Sequence, residues 1–282
     1  MRLNVAEVAG LVERARVEVI PTAGVASAVR AHVPVSVPVT VTASPTKGLE
    51  VTVSLAEQLA GEGYTVVPHL SARMVASQSH LEELVGRLVR SGVTDVFVPA
   101  GDAPVPAGHF EGALPLLEAL EALGRPFAEV GITGYPEPHP HIHDDVTIQS
   151  MWDKRRHATY IVSNLCLDPG VLRRWVQRLR TRGVELPLYV GVAGPVTTAK
   201  LLSVASKIGV GESGRFLRSH SASLFRIGTP GAYDPGRLLA RVGKVLTDEA
   251  SRVAGVHVFS FNQLDAFAQW RERLVGALAT SE

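Results

Sequence analysis

Eight short apolar runs recur along the chain, and longer helical patterns separate most of them. They are Arg16 to Thr22, Val37 to Ser44, Tyr64 to Ser71, Asp95 to Asp102, Phe127 to Pro136, Thr159 to Asn164, Leu188 to Gly194 and Gly255 to Phe261. The runs are rich in Val and Ile and mostly lack polar alternation, the pattern of strands buried on both faces of a parallel sheet. Between them, Ser77 to Arg90 places Leu81, Leu84, Val85 and Leu88 on one helical face. Pro115 suits the first turn of a helix running to Leu123, with Gly124 as its stop. Asp168-Pro169 opens a helix over Val171 to Thr181 that Gly183 closes, Asp234-Pro235 opens one from Gly236 to about Val253, and a last helix spans Gln263 to Leu278. About eight strand–helix units in one chain predict an α/β fold of the (β/α)8 (TIM) barrel type, with residues 1–282 as a single domain. A doubly wound sheet is the alternative, but it rarely uses so many units in one domain.

Composition narrows the function classes. One cysteine, Cys166, excludes an intrachain disulfide scaffold and a cysteine-based structural zinc site. A net charge of +1 with 20% charged residues argues against disorder and against a nucleic-acid backbone binder. No run approaches the roughly 20 apolar residues of a membrane helix, and Glu7 and Glu13 interrupt any export-type apolar core, so a cytoplasmic protein with no membrane partner is expected. A homo-oligomer is compatible with the sequence.

In a (β/α)8 barrel the site lies at the C-terminal ends of the strands, so the polar residues in and after each run carry the information. Glu18 stands between Val17 and Val19 inside the first run. A buried carboxyl group must be paired, protonated or used: it is either an ion-pair partner of Arg16 or Arg73 or a general acid. Asp102 follows Gly101, which permits a tight turn, and reads either as a turn residue or as an anion over the barrel mouth. His69, Thr42 and Asn164 end other runs, each unremarkable alone. Tyr135 to Asp145 concentrates histidines and carboxylates, but its prolines and the lack of a His-x-His pair on the first strand weigh against a metal, and none is expected. Gly209 to Gly214 spells G-x-G-x-x-G after a helix, the wrong context for a dinucleotide fingerprint. Cys166, between Leu165 and Leu167, reads as an inert buried thiol.

Taken in order, the Glu18 strand, the Val-Thr-Val-Thr run ending at Thr42, Pro68-His69-Leu70, Gly101-Asp102, Gly134-Tyr135-Pro136-Glu137-Pro138-His139-Pro140 and His257-Val258-Phe259-Ser260-Phe261-Asn262 resemble the methylenetetrahydrofolate reductase family. The likeness runs from about Arg16 to Asn262, and the Tyr-Pro-Glu-x-His-Pro element is its most specific part. The resemblance implies a (β/α)8 barrel that reduces 5,10-methylenetetrahydrofolate to 5-methyltetrahydrofolate with electrons from NADH or NADPH, usually through FAD. It implies that Glu18 is the acid that helps open the five-membered ring and Asp102 the carboxylate that favours the cationic intermediate. Thr42 and Asn164, the latter where the family usually has Gln, become folate-binding positions. His69, Tyr135 and His139 become cofactor-pocket positions. Arg155, like Lys47 and Arg73, reads either as a solvated surface charge or as a candidate for cofactor phosphates or a polyglutamate tail.

The departures from the family pattern cluster around the flavin. Ala43 to Gly48 replaces a Tyr-Gly-Ala stretch and its turn, Ala100 replaces an Arg, and Asn164 to Asp168 replaces a Gln-Phe-Phe-Phe-Asp stretch. An Arg on a pyrophosphate is a charge-assisted contact of about 1.5–3 kcal/mol. FAD is therefore doubtful, and direct hydride transfer from NADH or NADPH is the expectation. The low aromatic content, 6%, agrees with it. The alternatives are an FAD-dependent reductase of the same reaction, a folate-dependent methyl-transfer or demethylation enzyme and, more distantly, a folate-binding regulatory barrel or a metal-dependent hydrolase.

Overall fold

The structure is a computed structural model that describes residues 5–137, 144–197, 200–201, 203 and 232–279. His139 and the Gly209 to Gly214 motif lie outside the described residues.

Each of the eight runs forms a strand: β1 (Arg16–Val19), β2 (Val39–Val41), β3 (Val66–Pro68), β4 (Asp95–Val98), β5 (Glu129–Gly134), β6 (Tyr160–Ser163), β7 (Leu188–Ala193) and, after a small antiparallel pair β8 (Val196–Thr197) and β9 (Ala232–Tyr233), β10 (Val253–Phe259). The eight long-range strands form one sheet in the order β3-β2-β1-β10-β7-β6-β5-β4. The two strands at the ends of that order are themselves joined. His69 and Phe97 bridge in parallel register, and the Leu70 N–H donates to the Phe97 carbonyl at 2.8 Å. A parallel sheet whose ends meet, with helices on its crossovers, is a (β/α)8 barrel.

The described helices are α1 (Val5–Glu13), α2 (Val25–His32), α3 (Gly48–Gly61), α4 (Gln78–Arg90), α5 (Ala113–Ala122), α6 (Asp144–Lys154), α7 (Pro169–Thr181), α8 (Pro235–Leu246) and α9 (Leu264–Ala279). Their ends follow local chemistry. Ser77 caps α4 by accepting from the His80 N–H, and Asp168 and Asp234 cap α7 and α8, each with Pro at the first turn. Gly124 and Gly183 take left-handed conformations just past α5 and α7. The sequence places the end of α8 near Val253, but the helix stops at Leu246. Asp248 caps a separate 3-10 turn over Glu249–Ser251, and the last strand starts at Val253 rather than Gly255. Among the described residues no helix is long and apolar enough to cross a membrane.

The chain divides into two compact units. One comprises Arg16–Thr133 and Met151–Ile161. Its interior is set by a polar layer. Arg16 Nη1 donates to Asp95 Oδ2 at 2.8 Å, the Tyr160 hydroxyl donates to Asp95 Oδ1 at 2.7 Å, and the Arg16 guanidinium lies 4.4 Å from the Tyr160 ring centroid. β1 and β4 are not neighbours in the sheet, so this contact crosses the inside of the ring. Gly131 is small because a Cβ there would come within 2.4 Å of the Tyr160 ring. The other unit comprises Met1–Ala15, Gly134–Ser150 and Val162–Glu282. There α1 packs on α9, and Gly191 in β7 leaves room for the Ser163 carbonyl, which a Cβ would meet at 2.1 Å. A cleft between α1 and the Leu246–Val253 segment opens at the N-terminal end of β10 and carries none of the candidate site residues.

Burial of the Arg16–Asp95 pair predicts a large cost for removing one partner. Asp95→Ala should lose about 3–5 kcal/mol of stability, because Arg16 keeps an uncompensated interior charge. Urea unfolding monitored by circular dichroism measures it, and a loss below about 1 kcal/mol would contradict the assignment.

Candidate active site

Side chains two residues apart on a strand point to the same face. Arg16 faces the interior, so Glu18 does too, one layer nearer the C-terminal end of β1. Phe97 bears the same relation to Asp95 on β4. His69, the residue after β3, completes this layer: its ring packs against Phe97 with centroids 4.7 Å apart, and its Nε2 lies 3.7 Å from Glu18 Oε2. The Glu18 side chain is 14% exposed. Of the two arginines proposed as its ion-pair partner, Arg16 donates to Asp95 and Arg73 to a loop described below.

Thr40 is the register partner of Glu18 in β2 and shares its face. Its Oγ1 is buried with no hydrogen-bond partner among the described residues. Such a hydroxyl costs about 1–3 kcal/mol until a polar ligand reaches it. Sequence reading passed over Thr40 because it sits mid-strand, although the alternation that exposes Thr42 places both on one face. Thr42 lies at the end of β2, where its N–H donates to the Val19 carbonyl and its carbonyl accepts from the Thr52 hydroxyl.

Asp102 lies exposed just beyond β4. Gly101 before it has φ +93, and a Cβ there would lie 1.8 Å from Ser71 Oγ. Both the backbone conformation and the close approach to the β3 end therefore demand glycine. Arg155 follows α6 in the turn leading into β6. Its guanidinium stacks 3.7 Å from the Trp152 ring centroid and donates to the Trp152 carbonyl at 2.7 Å.

In the second unit, Asn164 ends β6. Its N–H donates to the Gly134 carbonyl, and its Oδ1 accepts the Leu165 N–H at 2.8 Å, so the amide NH2 is the end it can offer a ligand. Tyr135 is half-buried and Glu137 buried. Phe261 and Asn262, just past β10, both take left-handed conformations at φ 50 and φ 61, a strained turn for non-glycine residues at the functional end of a strand. Cys166 is buried, and its Sγ donates to the Asp168 carbonyl at 3.4 Å. Burial, reinforced by the neighbouring Glu137 carboxylate, pushes its thiol well above the ordinary range.

The residues present can be tested against a flavin, the group usual for the family that the sequence resembles. Its diphosphate needs cations or backbone donors. In the first unit Lys47 and Arg73 lie in segments that follow strand ends. Lys47 Nζ donates to the Pro21 carbonyl at 2.7 Å, and Arg73 is spent on three carbonyls. Ala100 supplies no charge. Of these two described cations, Arg73 gives three of its five N–H donors and Lys47 one of its three to backbone carbonyls.

The methylenetetrahydrofolate reductase family profile matches residues 23–211, more than half of the chain. The chain belongs to the methylenetetrahydrofolate reductase family. It is similar to methylenetetrahydrofolate reductase 2 of Saccharomyces cerevisiae, at 24% identity over 131 residues, which is 43% of this chain and 22% of the yeast protein. Among solved structures it resembles a family GH18 chitinase from Cycas revoluta in complex with allosamidin, with TM-score 0.52, 12% identity and coverage of 94% of this chain and 99% of the other. The same chitinase with (GlcNAc)3 gives TM-score 0.51 at 11% identity, over 94% and 99% of the two chains. At these identities the likeness shows the fold alone.

The Cys166 environment predicts chemical silence. Iodoacetamide at pH 8 should leave the native thiol unmodified by mass spectrometry, because thiolate is the reactive form, and should label it after unfolding. Rapid native labelling would contradict the buried setting.

Proposed function

We propose that this protein reduces 5,10-methylenetetrahydrofolate to 5-methyltetrahydrofolate, taking hydride directly from NADH or NADPH without a bound flavin. The observation that carries the reading is the interior Glu18 carboxyl, beside His69 and on the face of Thr40, in a chain of this family.

Reduction begins by opening the five-membered ring. The bond from the methylene carbon to one nitrogen breaks as that nitrogen takes a proton, leaving an iminium on the other. Glu18 supplies the proton: a side-chain carboxyl inside the barrel is a general acid placed to act on a ring nitrogen of a bound folate. Asp102, at the mouth on a turn fixed by Gly101, provides the negative charge that favours the cation. Thr42 and Asn164 offer a hydroxyl and an amide to the pterin. The family motif assigns His69, Tyr135 and His139 to the nicotinamide. Hydride then passes from nicotinamide to the methylene carbon, which requires the two carbons held about 3–3.5 Å apart. The products are the methyl group and oxidised nicotinamide, and one proton is consumed. The flavin-free part is supported by the engagement of Lys47 and Arg73 with backbone carbonyls and by Ala100.

Two measurements test this. Purified protein should show no flavin absorbance near 450 nm, and NAD(P)H oxidation should require methylenetetrahydrofolate and give intersecting lines when both substrates are varied. Parallel lines or a yellow protein would sink the direct-transfer reading and favour the FAD enzyme. Absence of NAD(P)H oxidation, with methyl transfer or demethylation instead, would sink the reductase. Glu18→Gln should keep folate binding in a titration and lower kcat by about 100-fold or more, the scale of one general acid. Near-normal turnover would make Glu18 structural.

A further inference from the structure

Asp102 is carried by a loop, not a strand, and a loop on a barrel rim has no sheet to fix it. The structure shows what does. Beyond β3 and β4 the two chains stay zipped: the Ala72 N–H donates to the Pro99 carbonyl at 3.0 Å and the Arg73 N–H to the Ala100 carbonyl at 2.9 Å. The Arg73 side chain then reaches across the loop. Nε donates to the Ala103 carbonyl at 2.7 Å, Nη2 to the Pro104 carbonyl at 2.9 Å and Nη1 to the Glu111 carbonyl at 3.1 Å. In return, the Ala107 N–H donates to the Arg73 carbonyl at 2.8 Å. Gly108 sits so close to the Ala76 carbonyl that a Cβ would lie 2.2 Å from it, and Phe110 is buried. One guanidinium thus ties the two ends of the segment together, and Asp102 lies between two held points, Gly101 against Ser71 and Ala103 on Arg73.

Guanidinium suits this task because its donors form a rigid planar fork, whereas an ammonium is a single point. Charge-assisted bonds to carbonyls are also stronger than neutral ones. The sequence suggested Arg73 as an ion-pair partner of Glu18 or a ligand for phosphates or a polyglutamate tail. In the structure three of its five N–H donors bind backbone carbonyls.

We propose that Arg73 is a positioning residue for the reaction: by clamping the 103–111 carbonyls it fixes Asp102 where the cationic intermediate forms. This rests on the reading of Asp102 under the proposed function. A clamp acting through Asp102 makes a prediction that a general stabiliser does not. Its removal should matter only while Asp102 keeps its charge.

The test is a double-mutant cycle on the full chain. Arg73→Lys and Arg73→Ala should each lower kcat by about 10- to 100-fold, the scale of an ångström-sized misplacement, with KM for NAD(P)H within about twofold. Asp102→Asn should lower kcat comparably, and adding Arg73→Lys to it should cost less than a further factor of about two. Hydrogen exchange should show faster exchange across residues 101–111 in Arg73→Lys, which serves if Arg73→Ala does not fold. A normal kcat in Arg73→Lys, unchanged exchange of the loop, or multiplicative losses in the double variant would overturn the role of Arg73. A wild-type protein with no reduction of methylenetetrahydrofolate would instead overturn the functional reading on which the proposal rests.

Discussion

The contact on which the site depends is the one that neutralises Arg16 inside the ring. A guanidinium there must find an anion, and Arg16 reaches Asp95 across the ring from β1 to the non-adjacent β4. Burial pushes the Asp95 carboxyl above its ordinary range, against the opposing pull of Arg16 and of the Tyr160 hydroxyl. The same burial, with the Asp95 charge beside it, drives Tyr160 up, so the phenol stays a neutral donor. A polar layer this constrained stabilises modestly compared with an apolar one, but it specifies register. Slipping β1 by one residue would carry Arg16 to the other face and Glu18 with it.

Much of the fold was legible because parallel strands buried on both faces read as bare apolar runs, and all eight runs became strands. Helices with a chemical stop sign were legible too, as the Asp-Pro openings of α7 and α8 show. Others were not. The α3 helix spans Gly48 to Gly61 and buries Leu49, Thr52, Val53, Ala56 and Leu59 at helical spacing, but Val51, Thr52 and Val53 are β-branched in a row and blur that pattern in the sequence. The α8 helix was read too long because its apolar period continues beyond Leu246. Just past it Asp248 caps a different turn, which Arg252 closes in a left-handed conformation.

The candidate site was legible where a residue broke a pattern. Glu18 stands out because a carboxylate interrupts a hydrophobic strand, and Asp102 because it follows a glycine after one. Residues that keep to the pattern were invisible. Thr40 looks like any strand threonine, and only strand register places its orphan hydroxyl beside Glu18's position. Charges were the least legible. Lys47, Arg73 and Arg155 look alike as solvent-facing cations, yet each donates to a backbone carbonyl, and Arg155 also stacks on Trp152 of the preceding helix. Sequence records that a cation exists, while the backbone path decides whether it has donors to spare.

The two acidic residues are consequently held by different physics. Glu18 is fixed by a strand: its position follows from sheet register, the polar layer below and the packed pair of His69 and Phe97 beside it. Asp102 is fixed by a loop, through one glycine with no room for a Cβ and one arginine with three carbonyls to hold. Glu18 can keep its place through change in the surrounding loops, because its support is the sheet. Asp102 cannot, because its support is the loop itself. In this chain the cation that follows β3 secures backbone, and through that backbone the position of the carboxylate between Gly101 and Ala103.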